Sequence, residues 1–218
     1  MVFVENDSKD AAFYFATEEL FTRKIKKNVP VLILWQTNNT VMLGNNQSIE
    51  NEVDTVFAQK NNIKIIRRPS GGGAIYTDPG TILYSYIEPL TKEANTHREQ
   101  TAAMIIDALY NMGITAVQEG RNDILLDGKK ISGLAQHTSP THICTHGSLL
   151  YDTDLEMLTK VLIPNESKLK PKGITSIRSR VTNIKPYMKM NFTIDEFKLE
   201  LKNELLSDKE CIYFNERY

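Results

Sequence analysis

The spacing of apolar and polar positions changes period several times along this chain, and each change predicts an element. Residues 9–24, KDAAFYFATEELFTRK, place Phe13, Ala16 and Leu20 at helical spacing, with Asp7 or Ser8 as N-cap. VPVLILWQ (29–36) is a continuous apolar run of strand length. TVMLG (40–44) follows it across the polar turn TNN, and the pair predicts a hairpin. IKIIRR (63–68) reads as a further strand, halted at Arg68-Pro69 because the residue before proline is held extended.

AIY and TILYSYI are joined by Asp78-Pro79-Gly80, whose proline and glycine suit a type II turn. Residues 97–113 carry Ala103, Ile106 and Tyr110 on one helical face and end at a capping glycine, Gly113. DILLDGKKISGLAQ (123–136) predicts strand, Asp-Gly turn, strand. HGSLLYD (146–152) predicts another strand, with His146 at its start. A last helix begins at Thr193, with Thr193 and Glu196 as a capping box and Phe192 and Phe197 in staple positions. Strands interleaved with helices, without internal repeats, predict an α+β fold with a mixed, largely antiparallel sheet flanked by helices.

Composition narrows the classes. The 218 residues suffice for one sizeable core, and 41% hydrophobic with 24% charged residues is ordinary for a globular chain. A net charge of −1 gives no reason to expect nucleic acid or an anionic membrane surface, so any basic patch is local. The N-terminus has no apolar signal segment, and the longest apolar run, VPVLILW, is too short to span a bilayer. The two cysteines, Cys144 and Cys211, match no metal-ligand spacing and point to a reduced, cytoplasmic protein.

The candidate chemistry sits in a few short stretches. In RRPSGGGAIYTDPG (67–80), three glycines lacking Cβ atoms let backbone amides approach an anion or a thin chain, beside Arg67 and Arg68. A flexible hairpin connection is the competing reading. GRNDILLDGKKISG brings Arg121, Asn122 and Asp123 before one strand, and Lys129 and Lys130 onto the next. Adjacent strand residues point to opposite faces, so only one lysine faces a given pocket. Asp123 is a candidate oxygen ligand for Mg²⁺. The four histidines show no metal pattern, and His146 fits a pocket edge as well as a catalytic role. Lys172, Arg178 and Arg180 form a basic loop of the kind that faces solvent. These residues together point to a nucleotide or acyl-phosphate site.

The stretches DAAFYFATEELF, LILWQTNNTVMLGNNQ, RRPSGGGAIYTDPGT, GRNDILLDGKKISGLAQ, HGSLLYDTDL and KGITSIRSRVTNI occur in an order that resembles the lipoate–protein ligase A family. The resemblance implies the fold shared with biotin protein ligases and an ATP-dependent reaction, with ATP, Mg²⁺ and lipoate as participants. Lipoate would be activated to lipoyl-AMP and passed to a lysine of a lipoyl domain, on the E2 component of a 2-oxoacid dehydrogenase or the glycine-cleavage H protein. By the same resemblance Arg68, Ser70, Gly71, Gly72 and Gly73 border the acyl-adenylate. Lys130 is the catalytic cation, Asn122 and Asp123 lie on the nucleotide and Mg²⁺ side, and Trp35 and His146 line the lipoyl pocket. Ile75, Tyr76 and Thr77 lie beside adenine, and Gly133 belongs to the KISG adenylate segment.

Two departures stand out. The family's His-Asp-x-Gly-Asn is here Thr77-Asp78-Pro79-Gly80-Thr81, which removes an imidazole and an amide, and Asn45 stands where arginine is common. The reading divides the chain into a catalytic domain, 1–185, and an extension of it, 186–218, without the family's small accessory domain, which a separate chain could supply. Two alternatives follow: an octanoyl or lipoyl transferase using a cysteine thioester, with Cys144 as nucleophile, or a non-catalytic lipoate-binding half of a split ligase.

Overall fold

The computed structural model describes residues 1–25, 28–163, 180–207 and 212–215. Two sheets organise them. The larger is built from β1 (Val2–Glu5), β2 (Val31–Trp35), β6 (Thr81–Pro89), β7 (Val117–Glu119), β8 (Asp123–Leu126), β9 (Lys129–Thr138), β10 (His142–Leu150) and β11 (Ile212–Asn215), in the order β11-β1-β2-β6-β10-β9-β8-β7. Only β1 pairs in parallel, with β11 and β2, and the rest of this sheet is antiparallel. The smaller sheet has β3 (Thr40–Leu43) between β4 (Lys64–Arg67), parallel, and β5 (Ile75–Thr77), antiparallel.

The mixed, largely antiparallel α+β architecture is as expected, but the hairpin of β2 with β3 is not formed. The two strands belong to different sheets, because β2 is buried on both faces and must be covered on each. Leu32 and Leu34 join a core with Ala102, Ile105 and Leu109 of α4 (Ala94–Asn111) and Phe197, Leu201 and Leu205 of α6 (Ile194–Leu206). Val31, Ile33 and Trp35 face the other way, onto Ala11 and Tyr14 of α1 (Ala11–Glu19). A strand covered on both faces reads as a continuous apolar run. The small sheet packs on α2 (Ile49–Glu52), α3 (Thr55–Lys60) and α5 (Leu155–Val161), with Val41, Leu43, Ala58 and Val161 buried.

The turn at Asp78–Thr81 closes with Thr81 N–H donating to the Asp78 carbonyl at 3.0 Å, yet it is not type II. Gly80 is not among the positive-φ residues that type II requires at this position. Its glycine is needed for space, since a Cβ there would lie 2.1 Å from the Asp152 carbonyl oxygen. The turn hands the chain from one sheet to the other.

Helical faces were the weak point of the pattern. In α1 the N-cap is Asp10, whose carboxylate accepts from Ala12 N–H, and the buried stripe is Ala11, Tyr14, Thr17 and Glu18, while Ala16 is exposed. In α4 the buried face is His97, Arg98, Thr101, Ala102, Ile105, Ala108 and Leu109, whereas Ala103 and Tyr110 face solvent. Weakly amphipathic segments admit more than one stripe, and the neighbouring sheet chooses. The Asp127-Gly128 turn, both residues at positive φ, and the Thr193–Glu196 capping box form as expected. Phe192 packs against the cluster that buries Phe197.

Candidate active site

A cavity of about 410 Å³ lies where the two sheets face each other, bounded by the glycine loop, β5, β9, β10 and residues 180–181. Its size is that of a small-molecule pocket. Trp35, Arg68, Gly72, Gly73, Ile75, Tyr76, Asn122, Asp123, Lys130, Gly133 and His146 all line it. Residues far apart in sequence are thus brought together. Ser70, Gly71 and Thr77 do not line it: Ser70 and Thr77 are buried, and Gly71 is exposed.

The glycine loop is braced from below. Arg68 donates from Nε to Ser70 Oγ at 3.0 Å, from Nη1 to the Met42 carbonyl at 2.8 Å, and from Nη2 to the carbonyls of Gly71 and Gly73 at 2.8 and 2.7 Å. Its donors are therefore committed to Ser70, to a carbonyl of β3 and to two loop carbonyls rather than to the anionic neighbour expected of it. Gly72 takes φ +95°, which a side chain rarely adopts, and a Cβ there would meet Arg68 Nη2 at 2.9 Å. Arg67 points outward and donates to the carbonyls of Gly44, Asn45 and Gln47. Two arginines thus shape a loop whose own sequence specifies little.

Behind the loop a buried polar chain runs from Arg68 through Ser70 and His146 to Glu18. Ser70 Oγ lies 2.6 Å from His146 Nε2, and His146 Nδ1 lies 2.9 Å from Glu18 Oε1. An ionised carboxylate only accepts, so His146 Nδ1–H donates to Glu18, and Ser70 Oγ pairs with Nε2 while accepting from Arg68. Ser85 Oγ donates to Glu18 Oε1 at 2.6 Å, His137 Nε2 lies 3.2 Å from Oε2, and Trp35 Nε1–H donates to Ser85 Oγ at 2.9 Å. Burial alone would raise the Glu18 carboxyl, but the imidazoles of His146 and His137 outweigh it and hold it well below the carboxylate range. The chain fixes Trp35, His146 and Ser70 together. His146 sits in the middle of β10, not at its start.

At the other end of the cavity the polar groups are half-exposed. Lys130 Nζ lies 2.8 Å from Asp123 Oδ1, and Arg180 Nη2 donates to Asp123 Oδ2 at 2.8 Å. Burial would raise the Asp123 carboxyl, and the two cations more than reverse it. A bulge between β8 and β9, at Ile124/Leu125, precedes the close approach of Lys130 to Gly133, where a Cβ would meet Nζ at 2.8 Å. Lys130 faces the cavity while Lys129 is exposed, as strand alternation requires. Arg180, expected to face solvent, is carried to the cavity by a bridge from Lys130 to Val181 and by Thr182 N–H donating to the Lys130 carbonyl. Lys172 and Arg178 lie outside the described residues. Asn122 Oδ1 is buried without a hydrogen-bond partner among the described residues, an acceptor left over at the cavity wall.

The substituted positions of the turn lie away from the cavity. Thr77 Oγ1 pairs with Thr37 Oγ1 at 2.8 Å, and Thr81 Oγ1 with Thr153 Oγ1 at 2.8 Å, all four hydroxyl side chains being buried. Cys144 is fully buried and does not line the cavity. Burial, reinforced by Glu18, pushes its thiol well above the ordinary range, the wrong direction for a thioester-forming nucleophile. Asp123 presents no carboxylate oxygen free of a cation for Mg²⁺.

Sequence reasoning missed Glu18, Arg180 and the apolar wall of Phe15, Leu134 and Leu158. Glu18 gave no signal in the sequence, since it lies off the stripe of Phe13, Ala16 and Leu20 that the spacing predicts.

The chain belongs to the lipoyl protein ligase A/B catalytic domain family, whose model matches residues 10–206. It is 32% identical over 211 residues to the lipoate-protein ligase LplJ of Bacillus subtilis, covering 96% of this chain and 64% of that protein. The fold superposes on a bi-partite lipoate protein ligase of Thermoplasma acidophilum with a TM-score of 0.84 at 26% identity, over 98% of this chain and 87% of that one. A lipoate-protein ligase A bound with ATP gives a TM-score of 0.83 at 25% identity, over 98% and 89% of the two chains. The chain spans 53–64% of the length of the curated relatives it matches. No helix among the described residues is long and apolar enough to cross a membrane.

Proposed function

We propose that this chain is the catalytic part of a cytoplasmic, ATP-dependent lipoate–protein ligase. The observation that carries this reading is one cavity with two chemically different ends. An apolar wall of Trp35, Phe15 and Leu83 lies at one side, and the Lys130–Asp123–Arg180 cluster with the open acceptor of Asn122 at the other. A fatty chain ending in a carboxylate fits the first, and a nucleotide fits the second.

In the activation step a lipoate carboxylate oxygen bonds to the α-phosphorus of ATP, and the bond to the bridging oxygen breaks, releasing pyrophosphate. In the transfer step a carrier lysine amine bonds to the acyl carbon, a proton leaves the amine, and the acyl-phosphate bond breaks to release AMP. Lys130 stabilises the negative charge that builds on the phosphoryl and acyl oxygens in both steps. To reach them it exchanges Asp123 for the ligand. Mg²⁺ would screen the phosphates of ATP, and Asp123, once Lys130 has left its Oδ1, is the residue that would hold it.

The carrier we propose is the lipoyl domain of a 2-oxoacid dehydrogenase E2 component or the glycine-cleavage H protein. Support comes from the Thermoplasma relative, which is described together with its E2 lipoyl domain. Residues 186–218 belong with 1–185 in one domain on this reading, since Phe197, Leu201 and Leu205 share a core with α4. A separate accessory chain remains part of the proposal for the activation step.

The test is the intact mass of an apo lipoyl domain incubated with the chain, either with ATP, Mg²⁺ and lipoate or with preformed lipoyl-adenylate. The lipoyl increment in both tubes supports a ligase. The increment only from the adenylate supports a transfer-competent catalytic part that needs an accessory chain. Absence of the increment in both overturns the reading.

A further inference from the structure

Four side chains with metal-ligating atoms converge beneath the cavity. They are Glu18 from α1, His137 from β9, and Cys144 and His146 from β10, and one ligand atom from each lies within 4.8 Å of all the others. Glu18 and Cys144 are fully buried, and the His137 and His146 side chains are 9% and 8% exposed. We propose that this cluster is a buried site for a zinc-class divalent cation, with Glu18, His137, Cys144 and His146 as its four ligands.

The donor chemistry is that of four-coordinate zinc, one thiolate, two imidazoles and a carboxylate. Tetrahedral zinc spaces its ligand atoms by about 3.3–3.8 Å. Here Glu18 oxygens lie 2.9 Å from His146 Nδ1 and 3.2 Å from His137 Nε2, within a few tenths of an ångström of that spacing, and all four ligand atoms fall within 4.8 Å of one another, so side-chain adjustment closes them on the ion. A divalent cation with Cys144 thiolate and Glu18 carboxylate is electrically neutral, which a buried site requires.

Cys144 packs in the apolar cluster around Trp35, and its thiol hydrogen-bonds the Glu18 carboxylate. A thiol is a weak donor, so that contact is a modest one. A bound cation inverts that situation, because a coordinating thiol is deprotonated outright.

The supporting contacts suit ligation as well. Ser85 donates to Glu18, and Ser70 stands at hydrogen-bond distance from His146 Nε2, the nitrogen left over when Nδ1 binds the ion. The Nδ1 proton then passes to Nε2 and is donated to Ser70, while the thiol proton is released to solvent. His146 forms part of the cavity wall with Trp35, which gives the ion a route in. The site stands on these residues and does not depend on what the cavity above it binds.

The test is cobalt(II) titration of the chelator-stripped full chain, followed by absorption spectroscopy. Intense visible tetrahedral bands with a thiolate-to-cobalt charge-transfer band, saturating near about one ion per chain, are expected. Cys144→Ser should abolish the charge-transfer band, while Cys211→Ser should retain it. His137→Gln, which keeps a hydrogen-bond donor for Glu18, should weaken binding at least about tenfold. Zinc should raise the melting temperature of the wild type and not of Cys144→Ser. Weak octahedral bands alone, a charge-transfer band that survives Cys144→Ser, or a melting temperature indifferent to excess zinc would each overturn the proposal. Should Cys144→Ser fail to fold by circular dichroism, unchanged cobalt affinity in His137→Gln overturns it instead.

Discussion

The two polar clusters flanking the cavity are opposite solutions to holding a carboxylate. Glu18 is fully buried and is held by hydrogen-bond donors, namely two imidazoles and a serine hydroxyl. Asp123, with 19% of its side chain exposed, is held by two cationic chains that reach it from the rim. The inner arrangement cannot loosen without leaving a buried charge unpaired. The outer one trades partners at modest cost, because water and an incoming anion can replace what it loses. The difference teaches which part of the site is frame and which part responds to a ligand.

Removing each anion sharpens that contrast. Glu18→Ala leaves His146 and His137 without their acceptor and should lower unfolding stability by about 3–5 kcal/mol, measured by urea denaturation. A loss under 1 kcal/mol would break the comparison by showing that the inner cluster is as exchangeable as the outer. Lys130→Ala should leave the fold intact and cut acyl transfer from preformed lipoyl-adenylate by about 10²–10³-fold, the typical cost of one transition-state donor, read as the rate of carrier mass change.

Acid should separate the clusters further. The Glu18 carboxyl is held below its unfolded value, so its stabilisation is complete above that value and is lost as the pH falls through the folded one. The melting temperature should therefore drop as the pH is lowered from about 5 toward 3, and Glu18→Gln should flatten part of that drop. An identical pH profile in the variant would remove Glu18 as a source of acid lability. The smallest effect is expected for Asp123→Asn, about 1 kcal/mol or less of stability by the same denaturation assay, since Lys130 and Arg180 regain solvent.

Much of the framework was legible because its determinants are local. Apolar runs marked β2 and β6, Asp127-Gly128 marked the β8–β9 turn, and Thr193–Glu196 marked the start of α6. The ordered motifs likewise named eleven of the residues that line the cavity, among them Lys130, Asp123, His146 and Trp35. Where the reading failed, the missing information was a neighbour. Ala16 and Glu18 lie on one short helix, and only the sheet packed against it determines which of them is buried. Arg180 belongs to a basic stretch whose other members say nothing of Asp123, 57 residues away.

The sequence by itself determined periodicity, turn chemistry and the residue types at the site, because each depends on a few consecutive side chains and their backbone. The tertiary structure alone decided that β2 and β3 part into separate sheets, that Arg68 turns inward onto loop carbonyls, and that Glu18, His137, Cys144 and His146 meet. Those outcomes depend on burial and on long-range pairing, where the cost of an unpartnered buried polar group outweighs any local preference.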